Sequence, residues 1–201
     1  SIIFSDGDFL QLAQPITQGP VNPHEKLNIM FSYYRKRLPL KEACKISFKK
    51  IQLFLVKQVQ ETYREQGVSI SNKHIEIIVK QMTLNVCVQE SGFTKLLPGE
   101  IVPFQQIDRL TNTMVQNNDN SLSYFPVLFG VSRSSLNSCS FLSAASFQET
   151  SRILTNAAIE GKSDWLYGVK ESVITGRLIP AGTGFNFYNS INKTLKPKKQ
   201  N

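Results

Sequence analysis

The longest periodic stretch of the sequence runs from Leu40 to Gln66 and predicts a single long helix. Large apolar residues recur along it at helical spacing and form one stripe: Phe48, Ile51, Leu55, Val59 and Tyr63. Gly67 follows the stripe, and glycine commonly supplies the left-handed residue that ends a helix. At ~1.5 Å per residue the helix is about 40 Å long, which makes it the longest element expected in this chain.

Positive charge is concentrated where this helix begins, over residues 35–50, which we call the basic segment. Its cations are Arg35, Lys36, Arg37, Lys41, Lys45, Lys49 and Lys50, and Glu42 is its only acidic residue. Lys41, Lys45 and Lys49 are four apart and share one helix face, where like charges repel unless an acidic partner neutralises them. Two interpretations stay open: a solvated face, or a surface that contacts a nucleic-acid backbone or a protein subunit.

Length and charge place further bounds on the chain. The 201 residues suffice for one domain with a real core or for two small ones. A hydrophobic content of 41% argues against disorder. The net charge of +8 favours a polyanionic partner. Four lysines of the last nine residues account for part of it, and such an end is more often a solvated tail: Lys193, Lys196, Lys198 and Lys199.

Three observations concern the cellular setting. No apolar run approaches the ~20 residues that cross a bilayer, and no signal peptide is evident. The cysteines (Cys44, Cys87 and Cys139) are odd in number and widely spaced, so they predict a reducing compartment and neither a disulfide framework nor a zinc site. The chain starts at Ser1, and Ile2 to Phe4 have the pattern of a strand interior, which suggests a fragment of a longer chain.

The remaining patterns predict an α+β fold, dominated by helices, with small antiparallel strands. We divide the chain into a strand-and-turn segment leading into a helix, a helical pair, a strand-rich piece with a polar loop, a loop with C-terminal helices, and a basic tail. Their ranges are 1–39, 40–83, 84–129, 130–185 and 186–201. Within them we expect strands and turns over 1–23. We also expect a helix that is capped by Ser71 or Asn72 and whose core-facing residues are Ile75, Ile78, Val79 and Met82. We also expect a strand over 84–90, strand and turn over 96–104, a short helix over 107–114 and a surface loop over 116–121.

The stretch from Gly130 to Gly184 begins with a hydroxyl-rich loop that carries one cation, Arg133. Ser146 and Glu149 have the spacing of a capping box, and apolar residues at helical spacing follow: Phe147, Ile153, Leu154, Ala157 and Ala158. Gly161 is suited to end that helix. A further helix is expected from a cap at Ser163 through Ser172, with Trp165, Leu166, Val169 and Val173 toward the core. The residues therefore indicate a loop able to hold a phosphate, followed by an amphipathic helix.

Patterns that would indicate a stand-alone enzyme are weak. The sequence shows no nucleophile, base and orienting group in combination, no metal cluster and no cofactor loop. Arg177 to Gly184 (RLIPAGTG) lacks the Lys-Ser/Thr of a phosphate-binding P-loop, and no helix is expected after it. Its glycines are expected to permit tight backbone approach to a neighbour. Asp6-Gly7-Asp8 is interpreted as a turn between strands, because a third aspartate that would complete a magnesium site is absent.

Several segments, in colinear order over residues 4–185, resemble one family. The end of the chain resembles the C-terminal end of the largest subunit of bacterial-type multisubunit RNA polymerase, in FLSAASFQETSRILTNAAIEGKSDWL and in GRLIPAGTG. Three upstream segments resemble the same family: YREQGVSI, NKHIEIIVKQM and LLPGE. IEGKSDWL, with its tryptophan at 165, is most similar to the cyanobacterial and plastid form, in which the β′ chain is split and the distal piece is called β″.

The resemblance implies a set of site residues. The 130–150 stretch corresponds to the switch element at the base of the mobile clamp, which touches DNA near the active centre. It implies DNA contacts by Ser132, Arg133, Ser134, Ser135, Gln148 and Arg152, and a hinge at Ser143, Ala144, Ala145 and Ser146. It also implies subunit contacts by Arg177, Pro180, Gly182 and Gly184. The family usually has lysine at the position of Arg133, so the geometry of that contact is expected to differ slightly.

The function implied is a non-catalytic DNA-positioning and clamp-switch segment of a DNA-directed RNA polymerase. The assembled enzyme is implied to use Mg²⁺ held in a sister subunit, any Zn²⁺ lies upstream, and no cofactor is expected here. The partners implied are template and downstream DNA, the proximal β′, β, α and ω-like subunits, and a σ-type factor, with no membrane. The compartment implied is the plastid stroma, or otherwise the cyanobacterial cytoplasm.

A free-standing basic RNA- or DNA-binding module is the alternative function. Such a module would fold on its own, bind tightly alone and place stacking aromatic residues beside its basic ones. Most of the thirteen phenylalanines fall in apolar runs instead. We therefore favour the polymerase segment, whose apolar faces are expected to be covered by other subunits.

Overall fold

The structure is a computed structural model, and it describes residues 3–5, 7–92, 94–114 and 122–187, with backbone only at 112–114. The predicted loop over 116–121, the lysines of the tail and Asp6 lie outside these ranges. The chain divides into two compact units, Ser1–Val131 and Ser132–Asn201.

The elements confirm an α+β fold dominated by helices. The first unit contains α1 (Pro23–Arg35), α2 (Leu40–Glu65), α3 (Asn72–Met82), β1 (Asn85–Glu90), β2 (Ile101–Pro103), α4 (Phe104–Met114) and β3 (Ser123–Pro126). The helices that follow are α5 (Val131–Leu136), α6 (Phe141–Ala145), α7 (Thr150–Ile159) and α8 (Val169–Ile174). Residues 183–187 are also helical.

Helix α2 has the predicted length and ends as predicted. Gly67 has a φ of 73°, and its N–H donates to the carbonyl of Arg64, while the N–H of Val68 donates to the carbonyl of Tyr63. These two bonds form a Schellman motif, which requires the left-handed residue that glycine supplies. The predicted stripe is buried at Phe48 and Ile51 but becomes exposed toward its end, where Tyr63 is 38% exposed.

Helix α2 lies between two apolar clusters of the first unit. One cluster joins Cys44 and Phe48 of α2 to all three strands and to α4, through Val86, Val88, Val102, Ile107 and Tyr124. The other joins Ile51 of α2 to Leu27 of α1 and to Leu128. Burial raises the pKa of the Cys44 thiol to about 12, so this cysteine behaves as a small apolar residue.

The sequence predicts strands and turns over 1–23 and no separate helix before Leu40, so α1 was not expected. Asn22 caps it by accepting a hydrogen bond from the N–H of His24 at 3.0 Å, and Pro23 occupies the first helical position. Both residue types favour a helix start. Between residues 3 and 22, the described positions form turns, bends and irregular backbone. Thr17 is a single bridge residue and the N–H of Ile3 donates to the carbonyl of Ile16 at 2.9 Å, but no strand of several residues forms there.

Helix α3 is fixed to α2 by two side-chain amides. The Nε2 atom of Gln60 donates to the carbonyl of Ile70 at 2.7 Å, and the Nε2 atom of Gln52 donates to the hydroxyl of Thr83 at 2.6 Å. Ser71 occupies the cap position as expected, although its side chain makes no capping hydrogen bond. The expected inward position of Ile78 is wrong, since its side chain is about half exposed.

The three strands form one antiparallel sheet in the order β2-β1-β3. Val86 opposes Val102 on one side and Pro126 on the other. The pairing of β1 with β3 shifts register between Val88 and Glu90. Helix α4 begins three residues earlier than expected, directly after β2. The sheet therefore covers one side of α2 with a small apolar layer.

The second unit differs from its predicted helices at two places. Ser146 ends α6 and its hydroxyl donates to the carbonyl of Ser143, so the expected capping box with Glu149 does not form and α7 begins only at Thr150. Residues 162–167 are not helical, and the helix expected from Ser163 starts at Val169 instead. Gly161 ends α7 with a φ of 62°, as predicted.

Along the described part of the chain, none of the helices combines the length and apolar character that crossing a membrane requires.

We predict that Ile51→Ala lowers the free energy of unfolding by about 2–5 kcal/mol, because it leaves a cavity between α1 and α2. Leu53→Ala, on the exposed side of the same helix, is the matched control and should change it by less than about 0.5 kcal/mol. Urea unfolding followed by circular dichroism measures both. Equal losses for the two variants would contradict the assignment of the core.

Candidate nucleic-acid interface

The predicted phosphate-binding loop is a short helix, α5, and not a loop. Ser132 and Arg133 are exposed, whereas Ser134 and Ser135 are half-buried. Successive helical residues are rotated by about 100°, so Ser132 and Ser134 flank Arg133 and Ser135 points to the opposite side. One phosphate cannot reach all four side chains. The structure therefore brings Arg133 together with only part of its predicted set.

The four predicted hinge residues form a helix and its cap. Ser143, Ala144 and Ala145 lie in α6, where both alanines are buried, and Ser146 is the C-terminal cap. Lys170 of α8 donates to the carbonyl of Ser143 at 3.2 Å. The small side chains thus serve close packing within this unit, and their hinge role stays a prediction.

Asp164 connects the non-helical 162–167 segment to the start of α6, a role that no pattern in the sequence predicted. Its Oδ2 atom accepts from the hydroxyl of Ser140 at 2.6 Å and from the N–H of Leu142 at 3.3 Å. Its Oδ1 atom accepts from the N–H of Leu166 at 3.0 Å. Desolvation would raise the pKa of Asp164, but these three hydrogen bonds outweigh it and lower that pKa.

The connection between α6 and α7 contains a residue in an unusual conformation. Glu149 is left-handed, with φ 54° and ψ 44°, a region that residues other than glycine seldom adopt. The hydroxyl of Thr150 donates to the carbonyl of Ala145 across the connection, at 2.8 Å. This strained position lies three residues after the predicted hinge and carries no glycine or proline that would mark it in the sequence.

Gln148 and Arg152 do not share a helix, although the helix predicted to begin after the Ser146 cap would have carried both. Gln148 lies in the connection before α7, and Arg152 lies in the first turn of α7; both side chains are exposed. The Nε atom of Arg152 lies 2.9 Å from the Oε2 atom of Glu149. Because exposed pairs of this kind contribute only ~0–1 kcal/mol, a phosphate can compete for the guanidinium.

The predicted subunit-contact residues occupy the end of the described chain. The N–H of Arg177 donates to the carbonyl of Ser172 at 2.8 Å and helps to end α8, while its side chain is exposed. Gly182 has a φ of 60°, and Pro180 is half-buried. Gly184 is buried, and a Cβ atom there would collide with the carbonyl oxygen of Ile179. Its close backbone approach is therefore to its own chain. The helix at 183–187 contradicts the expectation that none follows this segment.

Large apolar side chains are exposed across the second unit. Trp165 and Tyr167 are 75% and 82% exposed. The others are Phe147, Leu154, Ile159, Val169, Val173, Ile174, Leu178, Ile179, Phe185 and Phe187. The expected core positions of Trp165, Val169 and Val173 are therefore wrong. Apolar exposure of this extent marks a surface that contacts another molecule.

Side chains suited to metal binding or redox chemistry are dispersed. Over the residues that the structure describes, no group of three His, Cys, Asp or Glu side chains converges as metal ligands. Cys44, Cys87 and Cys139 are free thiols. The arrangement offers cations, hydroxyls and apolar surface, which suit binding of an anion and of a protein.

We predict that Asp164→Asn destabilises the chain near neutral pH and that the difference from the parent disappears in acid. The folded pKa of Asp164 is below its unfolded value of about 3.9. Its contribution is therefore fully present above that value and is lost as pH falls through the folded pKa. Thermal unfolding between pH 3 and 7 tests this, with Glu160→Gln as a control in an exposed pair. A difference that stays constant down to pH 3 would argue against the prediction.

We predict that Gly184→Ala lowers the free energy of unfolding by about 1–3 kcal/mol, because the new methyl group meets the Ile179 backbone. Gly130→Ala is the control, since a Cβ atom at Gly130 meets no atom within 4 Å. It should be close to neutral. If urea unfolding gave the same value for both, the close approach at Gly184 would not exist.

Comparison with known proteins identifies the family. Residues 39–140 match the family described as RNA polymerase Rpb1, domain 5. The chain is 55% identical over 200 residues to the DNA-directed RNA polymerase subunit beta'' of Rhodomonas salina, an alignment covering 100% of this chain and 15% of that relative. It is 51% identical over 195 residues to the subunit beta'' of Emiliania huxleyi, covering 97% of this chain and 15% of that relative.

Cyanobacterial relatives are similar over the same length. The subunit beta' of Synechococcus sp. (strain RCC307) is 48% identical over 189 residues, covering 94% of this chain and 14% of that relative. The chain thus spans about one seventh of the length of the relatives it matches. These matches confirm the resemblance found in the sequence, and the chain belongs to the RNA polymerase Rpb1 domain 5 family.

Proposed function

We propose that this chain is a DNA-positioning and clamp-switch segment of a DNA-directed RNA polymerase. Family membership and the names of the relatives support the polymerase part of this proposal. The observation that carries the DNA-positioning part is the exposed Arg133 of α5, flanked by two hydroxyl side chains. Nucleotide addition belongs to the assembled enzyme, a nucleotidyltransferase.

Arg133 is the primary phosphate contact in this proposal. A guanidinium presents several N–H donors in one plane and can bind two phosphate oxygens at once. Ser132 is exposed beside it and supplies a further donor, with Ser134 on the other side. Ser135 points away, so we assign it to the packing of α5 and not to the phosphate.

Arg152 supplies a second contact that exchanges partners. In the structure it pairs with Glu149, and a DNA phosphate would take the place of that carboxylate. The released Glu149 would then be free to leave its left-handed conformation, which costs on the order of 1–3 kcal/mol. DNA engagement at Arg152 is in this way coupled to the backbone that joins α6 to α7, and Gln148 moves with it.

We place the pivot of the clamp switch at residues 146–149, at the edge of the predicted hinge. The buried alanines of α6 form one packed body, and α7 begins after the strained residue. Rotation there would repack α6 against α7 and break the hydrogen bond from the Thr150 hydroxyl to the Ala145 carbonyl, whereas the side chains of residues 146–149 are exposed.

Other polymerase subunits are the proposed protein partners of the second unit. The exposed apolar side chains around Trp165 and Tyr167 supply a surface for them, and Arg177, Pro180 and Gly182 lie in the same unit. The proximal β′, β, α and ω-like subunits, and a σ-type factor in the holoenzyme, are the partners that the family suggests. A free-standing binding module has less support, because it would leave this surface in water.

The proposed role is positional and uses no catalytic group of this chain. Mg²⁺ would be held by a sister subunit of the assembled enzyme, and any Zn²⁺ would be bound upstream. The sources of the relatives suggest the plastid stroma, or the cytoplasm of a cyanobacterium, as the compartment.

We predict that Arg133→Ala in the assembled polymerase shortens the lifetime of the promoter open complex by about tenfold. That factor corresponds to ~1.4 kcal/mol, at the lower end for a hydrogen bond to a charged group. Competitor-challenged dissociation measures the lifetime. Arg133→Lys keeps the positive charge and should therefore retain most of the open-complex lifetime.

Arg64→Ala is the matched control, because Arg64 is an exposed arginine at the far end of α2. It should leave the lifetime unchanged. A normal open-complex lifetime for Arg133→Ala would rule out the proposed contact, and an equal decrease in the control would show that the effect is not specific.

A further inference from the structure

The basic segment carries most of the formal charge of the chain. Its seven cations and one acid give +6 of the total of +8. Six of the cations are exposed: Arg35, Lys36, Arg37, Lys45, Lys49 and Lys50. They lie in the first unit, whereas the residues of the proposed clamp switch belong to the second.

The core fixes the direction in which these side chains point. Ala43, Cys44, Ser47 and Phe48 are buried on one side of α2. Helical periodicity then places Lys45 and Lys49 on the outer side. The basic surface is therefore a consequence of the packing of α2 and has a defined orientation.

Among the described residues, few acidic groups neutralise the basic segment. The Nζ atom of Lys41 pairs with Asp108 of α4. Arg37 lies over the ring of Tyr33, at 4.2 Å from its centroid, and Lys45 lies 6.0 Å from the centroid of Phe104. Rings of this kind hold a cation in place without removing its charge.

The charge arrangement opposes the stability of α2. The first turn of α2 contains Glu42, which the partial positive charge of a helix start favours, beside Lys41. Lys45 and Lys49 follow it with no acidic residue four positions away on either side. Lysines four apart repel each other. The second half of the same helix shows the usual solution, in which Lys57 lies 3.7 Å from Glu61. Charges four residues apart are thus unpaired in the first half of α2 and paired in the second half. Such a local departure from favourable charge pairing indicates a binding role for the first half.

We propose that the exposed side of the basic segment binds a phosphodiester backbone of a nucleic acid. Lys45 and Lys49 are separated by about 6 Å along the axis of α2, and the cations that precede this helix extend the basic surface. Lysine is depleted at protein–protein interfaces, whereas nucleic-acid interfaces are far more positively charged. Five of the seven cations are lysines, which favours nucleic acid over an acidic protein.

This inference rests on the proposed function in one respect, that the assembled polymerase engages nucleic acid. It adds a second contact surface that is independent of Arg133. The test uses the assembled polymerase with Lys45, Lys49 and Lys50 each changed to Gln. Its affinity for duplex DNA and for single-stranded RNA is measured across a salt series.

The expected result is a smaller salt dependence for one of the two nucleic acids. Each phosphate contact contributes about 0.9 to the slope of log K against log salt for duplex DNA, and about 0.7 for a single strand. The triple variant should therefore flatten that slope by about two to three. The nucleic acid whose slope changes is the source of the phosphates.

Lys73, Lys80 and Lys95, each changed to Gln, form the matched control, because all three are exposed lysines of the same unit. The same three positions of the basic segment changed to Arg should keep the parental slope. If the triple Gln variant fails to assemble, Lys49→Gln alone should flatten the slope by about 0.7 to 0.9.

Equal slopes for the variant and the control set would overturn the proposal. Weakened assembly of the subunits with unchanged slopes would also overturn it, and would assign the surface to an acidic protein. Arg133→Ala tested in parallel separates the two proposals. A flattened slope for the lysine variants beside a normal open complex for Arg133→Ala would leave this surface standing and reject the clamp contact.

Discussion

The first unit depends on the burial of one side of α2. Cys44, Phe48 and Ile51 lie on that side and contact the two apolar clusters that hold α1, the sheet and α4. Because a helix is rigid, the same burial decides which residues face water. The core and the outward-facing lysines are thus two results of one periodicity, and the unfavourable charges are tolerated because apolar burial stabilises the helix far more than they destabilise it.

The second unit is stabilised in a different way. Its buried apolar side chains are few and small, and polar contacts such as the one between Ser140 and Asp164 hold its short helices together. Trp165 and Tyr167 remain exposed. Such a unit gains much of its stability from neighbours, which suits a segment proposed to change conformation within a larger assembly, where contacts can be exchanged without unfolding a core.

Sequence periodicity predicted the elements that are long or that end on a glycine, such as α2 with Gly67 and α7 with Gly161. It failed where a distant residue decides the local structure. Ser146 and Glu149 match a capping box, but Ser140 caps α6 with the help of Asp164, 24 residues away. At the candidate site, the sequence predicted which residues around Arg133 carry a charge or a hydroxyl group. It could not predict that a helix turns these side chains in different directions, or that Glu149 has a strained backbone, because both depend on backbone geometry.

The central claim is that this chain contacts nucleic acid within an assembled polymerase. Site-specific photocrosslinking tests it most directly, with a photoreactive amino acid placed at position 133 and, as a control, at position 73. The account predicts crosslinks from position 133 to promoter DNA in open complexes and none from position 73. Crosslinks from position 133 to protein alone would contradict it.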